Sequence, residues 1–350
     1  MIARILASLH ELDDFVRLHQ LGFVGIWPLL GLASVADFSP GHVAGVLVVA
    51  LLFNTYGVVL DDAVHLDVDR HDPLRANQWL VRGVLTKQQA LVVAWLELPL
   101  MLLAHIGFGF ANDALPYLVG AVVGQGVYDL YGKRCPVPPL MEAAEAAAAF
   151  CLVGYGGAVT GAGQTPLLWV TAGAGAAFIL FVNAFHGSLR DIEVEIRNRQ
   201  RTTPIWLGCR GVEAGVVHIS PVMSLYGAIC QAALIGFSVG AALLIVRGQG
   251  AGAFELAGVL IASLAHVILF VSLHWVRKPA WDGLMRFHVA ILVVPIILAF
   301  APALSASANA VVCLVYFGPM VLTASWWLRR APIAAPTRTA PAATSFPSRL

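Results

Sequence analysis

The stretch that decides the fold runs from residue 42 to residue 70, HVAGVLVVALLFNTYGVVLDDAVHLDVDR. Residues 42–60 are almost continuously apolar, and about 20 such residues cross the hydrocarbon core of a bilayer as one helix. Acids follow with no spacer: Asp61, Asp62, Asp67 and Asp69, with His65 among them. If the helix continues, Asp61, His65 and Asp69 fall on one stripe at i, i+4 and i+8, and Asp62 and Asp69 lie two turns apart on nearly the same face. Carboxylates gathered on one stripe repel unless a cation sits among them. Oxygen donors of this kind suit Mg²⁺, which is held by one or two carboxylates together with substrate phosphates. The competing reading is a solvated acidic loop that ends a helix.

Outward from this stretch the same texture recurs. The chain has 350 residues, 59% hydrophobic and 12% charged, against about 25% charged in a soluble domain. Ten apolar runs stand out, near residues 20–37, 42–60, 88–110, 114–131, 140–160, 166–188, 216–246, 253–276, 284–302 and 306–328. Pro295 and Pro302 interrupt the ninth, so a broken helix or a total of nine spans is the alternative to ten. The reading is an all-α, polytopic membrane bundle of nine to ten transmembrane helices around a central cavity. An amphipathic segment, residues 1–19, precedes it as an interfacial helix. Residues 20–330 form the membrane domain, and the Pro-, Ala-, Thr- and Ser-rich tail 331–350 has no apolar periodicity and reads as disordered.

Charge sets the orientation. With the N-terminus inside and ten spans, all of the 21 Lys and Arg residues except Arg247 fall on one side, and basic loops stay cytoplasmic. The protein is therefore expected in the cytoplasmic membrane with its two acidic connections, residues 61–87 and 190–213, on the cytoplasmic side. A net charge of +1 and the lack of a basic, aromatic-rich cluster argue against nucleic acid. The five cysteines show no ligand spacing and read as free small hydrophobes.

The second acidic connection begins Arg190-Asp191-Ile192-Glu193-Val194-Glu195-Ile196-Arg197 and continues to Arg201-Thr202-Thr203-Pro204. Asp191 and Glu195, at i and i+4, can face one ion, and the arginines beside them supply what a diphosphate needs. Taken alone, an ordinary membrane-surface salt-bridge network explains it equally well. Acid pair, cation, anionic substrate, acid pair is a balanced arrangement, and it is the pairing of the two connections on one side that gives the motif weight.

The stretch DDAVHLDVDRHDPLRANQWLVRGVLT, Asp61 to Thr86, resembles the first motif of the UbiA superfamily of membrane prenyltransferases, and LRDIEVEIRNRQRTTPIWLG resembles the second. Position by position, Asp61 stands on the motif's Asn, Asp62 and Asp69 on its first and third Asp, and His65 in place of the second Asp. Asn77 and Gly83 fall on the downstream Asn and Gly. Asp191 takes the first acid of the second motif and Glu195 replaces its Asp. Lys133-Arg134, preceded by Tyr128 and Tyr131, looks like the family's basic pair. The resemblance implies an enzyme that ionises an allylic prenyl diphosphate with Mg²⁺ and transfers the prenyl group to a small-molecule acceptor, expected to be aromatic. It implies Asp62, Asp69, Asp191 and Glu195 as the catalytic metal ligands, assisted by Asp61 and His65, with Arg70, Arg75, Lys133 and Arg201 gripping diphosphate.

Polar residues inside apolar runs are costly in lipid and should face the bundle interior. Asn54, Asn183 and His186 lie near the acidic motifs and are read, with Tyr128, as substrate contacts. Glu97 is read as satisfied by an interhelical hydrogen bond, and His218, His266, His274 and His288 as structural or interfacial. Two other functions stay open: a UbiA-type terpene cyclase, which needs no acceptor, and a transporter or non-catalytic membrane protein, against which the one-sided placement of charge argues.

Overall fold

A computed structural model describes residues 11–35, 38–70, 75–76, 78–213, 215–249 and 253–329. Its helices are α1 (Leu18–Ala33), α2 (Pro40–Asp69), α3 (Lys87–Gly107), α4 (Leu115–Tyr131), α5 (Pro138–Ala158) and α6 (Pro166–Leu180). The last continues through a π-helical turn, Phe181–Gly187, into α7 (Ser188–Arg197). The short α8 (Thr203–Trp206) and a hairpin of β1 (Gly211–Glu213) and β2 (Val216–His218) lead to α9 (Pro221–Gln249), α10 (Ala253–Ser272), α11 (Lys278–Ile291), α12 (Val294–Phe300) and α13 (Ala306–Arg329). Among the described residues, seven helical stretches are long and apolar enough to cross a membrane; the shorter α1 is apolar as well. The protein is an integral, multi-pass membrane protein.

Local sequence explains where the helices start. Ser39 caps α2, its hydroxyl accepting from the His42 amide, with Pro40 at the first helical position. Thr86 and Gln89 form a reciprocal capping box on α3, and Thr165 caps α6 ahead of Pro166. These are the residues that satisfy exposed N-terminal amides or that lack one. Gly83, in the connection before α3, has φ +75°, a conformation that favours glycine.

α1 sits inside the bundle, packed on α2, α5, α6 and α13, while α4 bridges α2 and α5, and α9 closes on α6 and α12. The approach of α1 to α5 is backbone to backbone: a Cβ on Gly156 would overlap the Pro28 carbonyl, and one on Gly31 the Val153 carbonyl. Small residues let membrane helices come this close. Trp27, Tyr155 and Phe178 fill the space around that seam, all fully buried.

The helices bearing the acidic motifs are among the most enclosed. Within the apolar window of the α2 stretch 67% of residues are buried and in the α6–α7 stretch 56%, against 28% for α3 and 22% for α10. The outer helices face lipid; the inner ones carry the chemistry.

Three expectations need correction. The second acidic connection begins as helix, because α6 runs unbroken through the π turn to Arg197. The seventh apolar run does not start at residue 216: Val216–His218 pairs with Gly211–Glu213 as a hairpin, turned through Gly215 at φ +80°, and the helix begins at Pro221. Glu97 is buried and, among the described residues, its Oε2 has no hydrogen-bond partner, so the expected interhelical bond is not seen at that atom. His288 bonds His186 inside the bundle at 3.2 Å. The ninth run does break, between α11 and α12 at Leu292 and Val293, with Pro295 entering the new helix. The proposed tail 331–350, residues 1–10 of the N-terminal segment, and Asn77 lie outside the described residues.

Candidate active site

A cavity of about 300 Å³ opens between the ends of α1, α2, α4 and α5, the α6–α7 rod and α11. About six turns of largely apolar helix lead α2 to it, and the stripe anticipated from the sequence is present because α2 stays helical through Asp69. Asp61 lines the cavity, whereas Asp62 and Asp69 sit behind it, each 2% exposed.

Arg75 binds this stripe together. Its Nη1 lies 3.0 Å from Asp69 Oδ2, 3.6 Å from Asp62 Oδ1 and 4.0 Å from Asp61 Oδ2. Burial alone would lower the affinity of Arg75 for its proton, but the surrounding carboxylates of Asp69, Asp61, Asp191 and Asp62 outweigh it and hold its pKa above the ordinary arginine value. Asp191 belongs to the other motif, so both acidic groups act on one guanidinium. Arg17 supplies a second cation: it pairs with Asp62 and, at 3.4 Å, with Asp61. His65, in place of an expected acid, lies 4.0 Å from Asp61.

Arg17 reaches the site from a strained position, φ +47° in a non-glycine residue, and such strain concentrates where geometry serves function. The segment before it is tied across the cavity mouth. Asn54 Nδ2 donates to the Val16 carbonyl at 2.8 Å, Phe15 stacks on Trp79 at 4.7 Å, and Glu11 meets Arg82 at 3.1 Å. Asn54 thus both lines the cavity and anchors the N-terminal segment.

The second acidic group is positioned by near neighbours. Arg190 donates to both oxygens of Asp191 at 2.7 Å. Glu195 Oε2 accepts from the Thr202 hydroxyl at 2.7 Å, and the next residue, Thr203, donates to Glu142 at 3.3 Å. Asp191 and Glu195 both line the cavity.

The π turn explains Asn183 and His186. One extra residue in the turn shifts side-chain direction, and such turns cluster at functional sites. Both residues line the cavity; Asn183 donates to Glu145, and His186 Nε2 meets His288 Nδ1 at 3.2 Å, with the His266 ring 5.3 Å beyond.

Of the remaining expected contacts, Arg75, Tyr128 and Lys133 line the cavity. Arg70 does not: it is exposed and faces Asp67 at 3.9 Å. Arg201 is exposed as well, joined to Lys133 only through a backbone bond of 3.4 Å. Tyr131 points outward, 58% exposed. Four cavity residues had no motif to announce them: Gln125, Asp129, Glu142 and Glu145. Polar and acidic residues within the apolar runs 114–131 and 140–160 were the available signal.

The UbiA prenyltransferase family profile matches residues 22–282. The chain belongs to the UbiA prenyltransferase family. Solved UbiA structures share its fold at low identity. A structure from work on digeranylgeranylglyceryl phosphate synthase in membranes superposes with a TM-score of 0.61 at 16% identity, over 87% of this chain and 99% of that one. A UbiA homologue from Archaeoglobus fulgidus, bound to GPP and Mg²⁺, gives 0.59 at 16%, over 86% and 99%. An apo UbiA homologue from Aeropyrum pernix K1 gives 0.56 at 15%, over 82% and 97%. No curated protein matches the sequence. With the family established, the chain is a membrane prenyltransferase.

Proposed function

We propose that this UbiA protein ionises an allylic prenyl diphosphate at the mouth of the cavity, with Mg²⁺, and joins the prenyl carbon to an aromatic acceptor. The observation that carries the reading is the convergence of Asp61, Asp62 and Asp69 on a single nitrogen of Arg75, at 3.0–4.0 Å. A carboxylate set that close needs a cation, and here guanidinium groups provide it. Among the described residues no three His, Cys, Asp or Glu side chains surround one point as a ready metal site. The donors nevertheless fit Mg²⁺ chemically, being oxygens grouped around a cation. That relatives are described with Mg²⁺ and with GPP or DMAPP supports the same assignment.

Asp62, Asp69, Asp191 and Glu195, with Asp61 beside them, would hold Mg²⁺, which neutralises charge on the diphosphate when bound. Arg75, released from the carboxylates, would then grip diphosphate oxygens together with Lys133 as the C–O bond breaks, stabilising charge where it develops. Phe23, Phe53, Phe178 and Ile179 line the cavity and would keep water from the allylic cation. His65 would act as a hydrogen-bond donor beside Asp61. The placement of the basic loops supports a cytoplasmic active face in the cytoplasmic membrane.

The test is to incubate purified protein with Mg²⁺, prenyl diphosphates of several lengths and a panel of phenolic acceptors, with and without chelator. Prenylated phenol formed only with Mg²⁺ is the expected result. A cyclised hydrocarbon formed without acceptor would reassign the chain to cyclisation, and no turnover of any diphosphate would refute both.

A further inference from the structure

The acids of the cavity divide into two kinds. At the mouth Glu195 accepts from Thr202, and Asp61, Asp62, Asp69 and Asp191 are paired with arginine. Asp129, Glu142 and Glu145 are not: among the described residues none of the three has a cationic side chain within 4.0 Å. Each is held instead by a neutral donor. Gln125 Nε2 donates to Asp129 Oδ1 at 2.9 Å, the Thr203 hydroxyl to Glu142 Oε1 at 3.3 Å, and Asn183 to Glu145. Glu142 and Glu145, at i and i+3, share one face of α5, which packs directly on the α4 helix carrying Asp129.

The second oxygens carry the argument. Asp129 is 1% exposed and Glu142 5%, and both line the cavity, yet among the described residues Asp129 Oδ2 and Glu142 Oε2 have no hydrogen-bond partner. A buried carboxyl oxygen left unpartnered is unfavourable. A neutral anchor fixes its direction and leaves the second oxygen open, which suits a group meant to meet a donor carried in by a ligand. An apolar wall would have served equally well had this part of the cavity held only isoprenoid.

Building on the prenyl-transfer reading, we infer that Asp129, Glu142 and Glu145 form the acceptor subsite, selecting a neutral or cationic acceptor that presents O–H or N–H donors rather than an anionic one. In the transfer step the allylic C–O bond breaks and its electron pair leaves with diphosphate. The acceptor's nucleophilic atom bonds the allylic carbon, and the proton the acceptor loses passes to a carboxylate oxygen of this wall.

The test uses purified full-length protein loaded with Mg²⁺ and geranyl S-thiolodiphosphate, which occupies the diphosphate site without ionising. Calorimetric affinities are then measured for three probes: resorcinol, tyramine and p-hydroxybenzoate. The expected result is that resorcinol and tyramine bind roughly tenfold or more tighter than p-hydroxybenzoate, the size of one good buried polar contact. Glu142→Gln/Glu145→Gln should lose most of the tyramine preference while retaining thiolodiphosphate binding and a wild-type elution profile in detergent. Equal affinities, or a preference for p-hydroxybenzoate in the wild type, overturn the inference and leave the transfer reading intact. If the double variant does not fold, the wild-type ranking alone decides. Failure of the wild type to bind thiolodiphosphate with Mg²⁺ removes the transfer reading, and the subsite with it.

Discussion

The two acidic groups look alike in the sequence but are secured in different ways. The group at the end of α2 is held by residues from elsewhere: Arg17, which precedes α1, and Arg75, beyond the helix end, both bridge to Asp62. The group on α7 is held by its own neighbours, Arg190 on Asp191 and Thr202 on Glu195. One depends on distant parts of the chain meeting; the other is complete once a short helix and its following turn have formed. The difference teaches that the first group is the closing point of the fold and the second a fixed platform facing it.

Substitutions should separate the two. Arg75→Ala leaves three clustered carboxylates, two of them buried, sharing one fewer cation and should destabilise by about 3–5 kcal/mol, the range for breaking a buried pair on one side. Added Mg²⁺ should raise its melting temperature in detergent more than that of the wild type, since a divalent cation can take the guanidinium's place. Equal Mg²⁺ effects on both proteins would break the comparison. Arg17→Ala should cost about 2–3 kcal/mol, less because Arg75 still faces Asp62, and should expose the 11–17 segment to limited proteolysis. Thr202→Val removes the hydroxyl on Glu195 and should cost about 1 kcal/mol, with activity falling more than stability. Arg190→Ala should be the mildest, about 0–1 kcal/mol, because Arg190 is 42% exposed and surface pairs contribute little. A stability loss for Arg190→Ala as large as for Arg75→Ala would show that the two groups are not secured differently.

Much of this was legible. Apolar runs gave the helices, and the i, i+4 spacing of Asp61, His65 and Asp69 gave the stripe, because α2 carries no breaker between Pro40 and Asp69. Asn54, Asn183 and His186 were legible as polar residues in lipid-length runs. What was not legible depended on tertiary geometry. Arg17 read only as an orientation charge, since nothing local shows a left-handed residue turned back onto a motif more than forty residues away. The π turn has no reliable sequence signature, and the hairpin at 211–218 hid in a valine-rich stretch that reads as the start of a span. Asp129, Glu142 and Glu145 were overlooked although acids in apolar helices are a signal in themselves.

The central claim is that both acidic groups serve one cation and one diphosphate. Mn²⁺ standing in for Mg²⁺, titrated with inorganic pyrophosphate and followed by electron paramagnetic resonance, tests it directly. Wild-type protein should bind Mn²⁺ with pyrophosphate, and Asp69→Asn and Asp191→Asn should each weaken that binding roughly tenfold or more. Mn²⁺ binding that responds to one group and ignores the other would contradict the account.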